Sequence, residues 1–374
     1  MKARILYIGR QIGFAGGIER YAYQTSVLLR GAGYAVDYAG EFADRHEELF
    51  RQGFDNVMSS PDVPAAYDLA VLHKLCPVER LEKLRKLYGN RLVFIAHDHD
   101  LYCPRHHYYT PFGRKNCHRA FSPIRCRLCS MATHPANWAG ALSQKTGALL
   151  ERLSEHHAVV LSSFMRDNLQ KNGFASEKIH IIPPFVESGS PRGDFCPDGR
   201  LRILFLGQLI RGKGVDLLLD ALSRMKSEFD AVIAGDGKDR QMLETMAGNI
   251  KPSNIHFPGW IAEPEKCFEN ADVLAFPSRW QEPFGLSGIE AMAHGVPVAG
   301  FSVGGVGEWL VDGQTGFSVP EGDTAAFASA LDRMAREPEM LAEMSRRCVE
   351  FTKEKFSPAR FVENMGRLLE EVSR

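Results

Sequence analysis

The chain alternates short apolar runs with longer stretches in which apolar residues recur every three or four positions. That is the pattern of buried parallel strands joined by helices. Residues 4–8 (Arg-Ile-Leu-Tyr-Ile) form the first run, too short for a helix, and a helical pattern follows from 18 to 30, closed by Gly31 or Gly33. Further strands are predicted at 34–39, 68–73, 91–96, 158–162 and 178–182. Ser163 is placed to cap a helix over 164–171, which Asn172 and Gly173 end. A second series has strands at 201–207, 231–234, 255–260 and 272–276, with helices at 215–225 and 285–293, the latter stopping at Gly295. From 338 to 374 the pattern is helical, broken at Phe356-Ser357-Pro358.

Between the two series lies a Gly-, Pro- and Ser-rich stretch, 187–200, which reads as a linker. A chain of 374 residues exceeds what one core supports. The expected division is a first domain 1–186 with an unusual insert at about 101–150, a second domain 201–355, and a terminal helix 356–374. With 44% apolar and 24% charged residues the composition is that of a soluble globular protein. The net charge of −1 gives no global affinity for nucleic acid. No run of about 18 apolar residues appears, and residues 1–9 lack the apolar core and cleavage site of a signal peptide. The expected location is cytoplasmic, where eight cysteines are thiols or metal ligands rather than disulfides.

The densest chemistry lies in Phe276–Pro297. Two carboxylates, Glu282 and Glu290, bracket a helix entrance formed by Phe284, Gly285, Leu286 and Ser287. Amides in a first helical turn lack intrahelical partners and suit phosphate oxygens, while carboxylates accept hydrogen bonds from hydroxyls. The ligand suggested is a sugar carried on a diphosphate. Lys213 stands in a Gly-rich loop after the strand at 201–207, another phosphate-binding context. Gly16 and Gly17 follow the first strand in the same way, although their spacing is not that of a dinucleotide fingerprint. His97 follows the run at 91–96, and open α/β sheets bind ligands outside the carboxyl ends of their strands. A loop hydrogen bond is the plainer reading of a lone His.

Taken together, these motifs resemble the retaining GT-B glycosyltransferases of family 4, the glycosyl transferases group 1. The resemblance rests on Glu282-Pro283-Phe284-Gly285, Glu290-Ala291-Met292-Ala293, Val303-Gly304-Gly305 and Asp312-Gly313 with Gly316-Phe317. It is dense from Gly207 to Phe317 and thin in the first domain, where Gly16-Gly17 and His97 carry it. It implies an α/β fold of two Rossmann-like domains facing a central cleft, with the terminal helix crossing back to the first. It implies transfer of a hexose from a UDP- or GDP-sugar to an acceptor hydroxyl with retention at the anomeric carbon, in polysaccharide, lipopolysaccharide or glycolipid assembly. No cofactor is required in this family. By correspondence, His97, Lys213 and Glu282 are the catalytic set. Gly16, Gly17, Gln208, Arg211, Lys213, Glu282, Phe284, Gly285, Leu286, Ser287 and Glu290 bind the donor. Gln208 departs from the family pattern, which carries Arg there, and Arg211 is the candidate replacement. A nucleotide-sugar epimerase or hydrolase and a non-catalytic nucleotide-sugar-binding protein are the alternatives.

The insert is not covered by that resemblance. Residues 101–150 contain no Asp or Glu but hold Arg105, Arg114, Lys115, Arg119, Arg125, Arg127 and Lys145. Such a local basic field is either a solvated face or a site for an anionic or lipid-linked acceptor or an anionic membrane surface. Tyr102, Tyr108, Tyr109, Phe112, Phe121 and Trp138 are interleaved, and aromatic faces suit sugar rings or a membrane interface. Cys103, Cys117, Cys126 and Cys129 fit a tetrahedral structural zinc stapling a long loop. An iron–sulfur cluster and unliganded thiols are the other readings.

Overall fold

The computed structural model describes residues 2–60, 63–111, 115–196, 198–250, 254–261 and 263–372. Phe112 and Arg114 of the insert lie outside them. The chain forms two compact units, Met1–Pro184 with Pro358–Arg374, and Phe185–Ser357.

The first unit holds a seven-stranded sheet in the spatial order Val57–Ser59, Ala35–Gly40, Arg4–Ile8, Leu69–Leu72, Leu92–Ala96, His157–Val160, Ile179–Ile181. Every pairing in it is parallel. Parallel strands are covered on both faces, which is why Ile5, Leu6, Leu69 and Val93 are wholly buried and the runs do not alternate with polar residues. The helix Gly17–Gly31 turns Tyr21, Ala22, Thr25 and Leu29 inward at helical spacing. The final helix, Pro358–Val372, belongs to this unit and buries Phe361, Met365, Leu368, Leu369 and Val372.

The second unit has a six-stranded parallel sheet ordered Ile255–Gly259, Phe229–Ala234, Leu201–Leu206, Val273–Phe276, Val298–Phe301, Gly316–Val319. In both sheets the first long strand lies between the second and a later one, so the winding reverses at that seam, the Rossmann arrangement. The stretch 187–200 is not a free linker. Gly189 N–H donates to the Ala293 carbonyl at 2.8 Å, Arg192 N–H to Ser345 Oγ at 2.7 Å, and Phe195 is buried. At the base of the sheet Arg202 grips the fully buried Asp272, with Nη2 2.6 Å from Oδ1.

Two local expectations are corrected. The cap of the helix Ser163–Lys171 is Ser162, whose hydroxyl accepts from Met165 N–H at 3.3 Å; Ser163 is already helical. The insert is no structureless loop, because Pro123–Met131 and Ala136–Leu153 are helices. The inward stripe of the second consists of Ala139, Ser143, Thr146, Leu149, Leu150 and Leu153. Small and hydroxylated residues at helical spacing hid it from an apolar-periodicity reading.

Candidate functional site

In the second unit the seam falls between Leu201–Leu206 and Val273–Phe276. Loops leaving the carboxyl ends of such strands diverge, and ligands of open α/β sheets bind there. The first loop carries Lys213 in the short turn Arg211–Lys213, and the second carries Ser278 through Gly285. The two loops are fastened together. Arg279 N–H donates to the Gly212 carbonyl at 2.9 Å, and its guanidinium pairs with Asp216, Nη2 to Oδ2 2.7 Å. Gly214, at φ +72°, closes the turn; a Cβ there would stand 1.8 Å from the Pro277 carbonyl oxygen. No larger residue fits the conformation or the space.

Within this frame Lys213 Nζ lies 2.8 Å from Glu282 Oε1, and Ser278 Oγ donates to the same oxygen at 2.6 Å. Glu282 is buried, and its carbonyl accepts from Gly305 N–H at 2.7 Å. The Val303-Gly304-Gly305 segment therefore fixes the backbone on which Glu282 stands. The helix Leu286–Ala293 starts from Gly285 in the left-handed region at φ +95°. Trp309, fully buried, donates from Nε1 to the Phe284 carbonyl at 2.7 Å and covers Gly288, where a Cβ would stand 2.2 Å from the ring. Phe284 thus contributes backbone to the site, its side chain being buried edge-on to Phe356. Leu286 is exposed and Ser287 half-buried, so the first turn of this helix faces solvent. Glu290, half-buried, stands one turn further along. Gln208 and Arg211 are both exposed. Trp260 is 75% exposed, outside the core.

In the first unit Gly16 is the extended residue before the helix, and Gly17 its first residue. His97 follows Leu92–Ala96, and His73 follows the neighbouring strand Leu69–Leu72. Their rings stack, with His73 Nδ1 3.2 Å from His97 Nε2, and Tyr21 meets His97 edge-on at 4.9 Å. Burial holds the His97 pKa down at about 3, with Lys74 adding to the effect, and burial lowers His73 well below its ordinary value. Both imidazoles are neutral near pH 7 and can exchange hydrogen bonds without carrying charge. Lys74 lies beside them, 2.6 Å from Asp100 Oδ2 and 3.2 Å from Asp98 Oδ2. Burial works to lower its pKa, but the two carboxylates outweigh burial and raise it. His73 and Lys74 were missed by the sequence reading. The signal available was position: both follow the carboxyl end of a strand paired with the one preceding His97.

Of the insert's aromatics, Tyr102 and Tyr108 are core residues at 1% and 2% exposure, packed at 5.2 Å, and offer no face to a sugar or membrane. Trp138 is 63% exposed. Cys103 and Cys126 have pKa values raised chiefly by burial, with Cys117 adding to each, so these thiols share one neighbourhood. Among the described residues, however, the group of three metal-capable side chains whose ligand atoms all lie within 4.8 Å is His157, His180 and Glu371. No helix of the described residues is long and apolar enough to cross a membrane.

Residues 193–355 match the family model described as Glycosyl transferases group 1. Phosphatidyl-myo-inositol mannosyltransferase of Mycobacterium leprae (strain TN) is 38% identical over 140 residues, 36% of this chain and 37% of that protein. Alpha-D-kanosaminyltransferase of Streptomyces kanamyceticus is 24% identical over 263 residues, 62% of this chain and 68% of that one. The match thus spans little more than a third of the first relative's length. Among solved structures, Anabaena HepE in complex with UDP and glucose superposes with a TM-score of 0.74 at 16% identity, covering 99% of this chain and 100% of that one. Sucrose-phosphate synthase from Thermosynechococcus elongatus gives 0.72 at 19% identity, covering 98% of each. These likenesses are of fold: the chain has the two Rossmann-like units of GT-B glycosyltransferases.

Proposed function

We propose that the chain is a group 1 glycosyltransferase that moves a hexose from a nucleotide-diphosphate sugar to an acceptor hydroxyl, with retention at the anomeric carbon. The observation that carries this reading is the Lys213–Glu282 pair beside the accessible start of the helix Leu286–Ala293, within the segment that matches the family. In such a transfer, charge develops on the departing diphosphate. Preorganised donors aimed at that charge lower the barrier. Lys213 and the first-turn amides near Gly285 take this role. Glu290 accepts from the donor ribose, Glu282 from the donor sugar, and neutral His97 contacts the sugar near the reacting carbon. Arg211 supplies the cation that Gln208 lacks. The transferases among the relatives give no support to the epimerase, hydrolase or binding-protein readings. The reaction routes no step through a metal; a zinc on Cys103, Cys117, Cys126 and Cys129 belongs to this reading as a staple, because four thiolates leave no open position.

An anionic membrane surface is the place we assign to the acceptor. Ile124, Leu128 and Met131 recur at i, i+4 and i+7 on the helix Pro123–Met131 and are 75%, 56% and 44% exposed. Trp138 is exposed on the next helix, and Arg125 and Arg127 are exposed beside the apolar row. Apolar side chains flanked by arginines, in a stretch without acidic residues, complement anionic lipid, where each basic residue contributes about 1 kcal/mol.

The test is thermal unfolding with UDP, GDP, ADP and their sugar conjugates. A ligand that binds only the folded state stabilises it by about 2.7 kcal/mol at a hundredfold excess over its dissociation constant. A shift with one base identifies the donor class. No shift with any nucleotide refutes the transferase reading.

A further inference from the structure

Three ligand-capable side chains meet in the first unit, on the two outermost strands at the opposite edge of the sheet from Val57–Ser59. His157 opens the strand His157–Val160, and His180 is the middle residue of the edge strand Ile179–Ile181. In the parallel register Val159 pairs with His180. Side chains alternate with a period of two, so His157 and Val159 share a face, and His180 joins them. The helix Pro358–Val372 brings Glu371 to that face from its last turn. His157 Nδ1 lies 2.8 Å from His180 Nε2, and His180 Nδ1 lies 3.7 Å from Glu371 Oε2. The rings stack at 5.1 Å between centroids.

We propose that His157, His180 and Glu371 form a binding site for a divalent transition metal of the zinc class, tying the last turn of the terminal helix to the edge of the first sheet. Two imidazoles and one carboxylate select zinc, cobalt, nickel or copper over magnesium and calcium, which take all-oxygen sets. Imidazoles ligate through a neutral ring nitrogen, so metal binding competes with protonation. Metal–nitrogen bonds of about 2.0–2.1 Å put two nitrogens of a tetrahedral site roughly 3.3 Å apart. One nitrogen of each ring and one Glu371 oxygen lie within 4.8 Å of one another, close enough for small side-chain adjustments to bring all three onto one ion. Both histidines are half-buried, the His180 side chain at 16% exposure, while Glu371 at 50% leaves an entry path from solvent. The site shares no residue with the candidate donor site and does not depend on the transferase reading. Its role is to hold the helix that completes the first unit.

The experiment is a cobalt(II) titration of the metal-stripped full chain, read by visible absorption, with zinc added afterwards as competitor. Beyond any cobalt that the four cysteines take up with a near-ultraviolet thiolate charge-transfer band, we expect one equivalent to bind with ligand-field bands and no such band, zinc to displace it, and the unfolding midpoint to rise. Glu371→Gln, a nearly isosteric change on the exposed side of a helix, weakens cobalt binding by at least about tenfold, the range seen even for residues outside the ligand shell. His180→Ala abolishes it; should that variant fold poorly, Glu371→Gln decides alone. Uptake confined to the equivalent that carries the thiolate band, and unchanged by Glu371→Gln, places all the metal on the cysteines and overturns the proposal. Absence of saturable uptake overturns it as well.

Discussion

Replacing Lys213 with Ala separates the binding chemistry from the fold. The ammonium lies 2.8 Å from Glu282, with side-chain exposures of 27% and 9%. Removing it leaves the carboxylate held by Ser278 Oγ. Breaking one side of a fully buried pair costs about 3–5 kcal/mol, whereas an exposed pair contributes about 1 kcal/mol or less. This pair lies between, so the stability cost is about 2 kcal/mol. A domain with about 5 kcal/mol of stability would retain roughly 3 kcal/mol and stay about 99% folded. Unfolding therefore cannot account for a large loss of turnover. Removing one preorganised donor to developing charge lowers kcat about 10²–10³-fold, or about 3–4 kcal/mol. The assay is steady-state release of nucleoside diphosphate from the donor identified by thermal shift, alongside urea unfolding of the same protein. The expected result is a hundredfold or greater fall in kcat with a modest loss of stability. A kcat within about threefold of the parent would refute the assignment of Lys213 to the leaving group.

Four further outcomes follow from the structure. Gly288→Ala forces a Cβ to 2.2 Å from the Trp309 ring, an overpacking that costs about 2 kcal/mol, read as a lower urea midpoint at unchanged slope. Asp272→Ala strands Arg202 and lowers stability by about 3 kcal/mol, while nucleotide-induced thermal shifts persist in the folded fraction. The His97 pKa of about 3 lies below the unfolded value near 6.5, so the unfolded chain binds the extra proton in this window. Stability therefore falls as pH drops from about 6.5 toward 3, by about 1.4 kcal/mol per unit for this group, and His97→Gln flattens the slope by one proton. Ile124→Asp combined with Leu128→Asp abolishes co-sedimentation with phosphatidylglycerol-containing vesicles; equal binding by parent and variant would sink the membrane assignment.

In the second unit the strands Leu201–Leu206, Phe229–Ala234 and Val273–Phe276 were legible as largely apolar runs followed by glycine or proline, whereas Val298–Phe301 and Gly316–Val319 were not predicted. Glu282 and Glu290 sit on one loop–helix segment, so spacing alone reports their neighbourhood. Lys213 and Glu282 are distant in sequence but each lies in the loop that leaves a strand, and the parallel topology sets those two strands side by side. The His73–His97 stack was not legible, since nothing in a single strand tells which neighbour it will pair with. In the insert, Tyr102 and Tyr108 read as surface aromatics because their run lacks apolar periodicity; their burial depends on tertiary contacts with His99 and with each other. The metal-capable group escaped notice for the same reason: His157, His180 and Glu371 come from three elements, and no short-range motif links them.

The terminal helix has a consequence for how the protein is made. The first unit takes its core residues Phe361, Met365, Leu368, Leu369 and Val372 from the far end of the chain, after the whole of Phe185–Ser357 has been synthesised. On the ribosome the first unit stays incomplete until that helix emerges, while the second unit can close from contiguous sequence. Birth order and folding order are thereby inverted. Deleting the helix Pro358–Val372 would damage the unit whose strands precede Phe185–Ser357 in the chain.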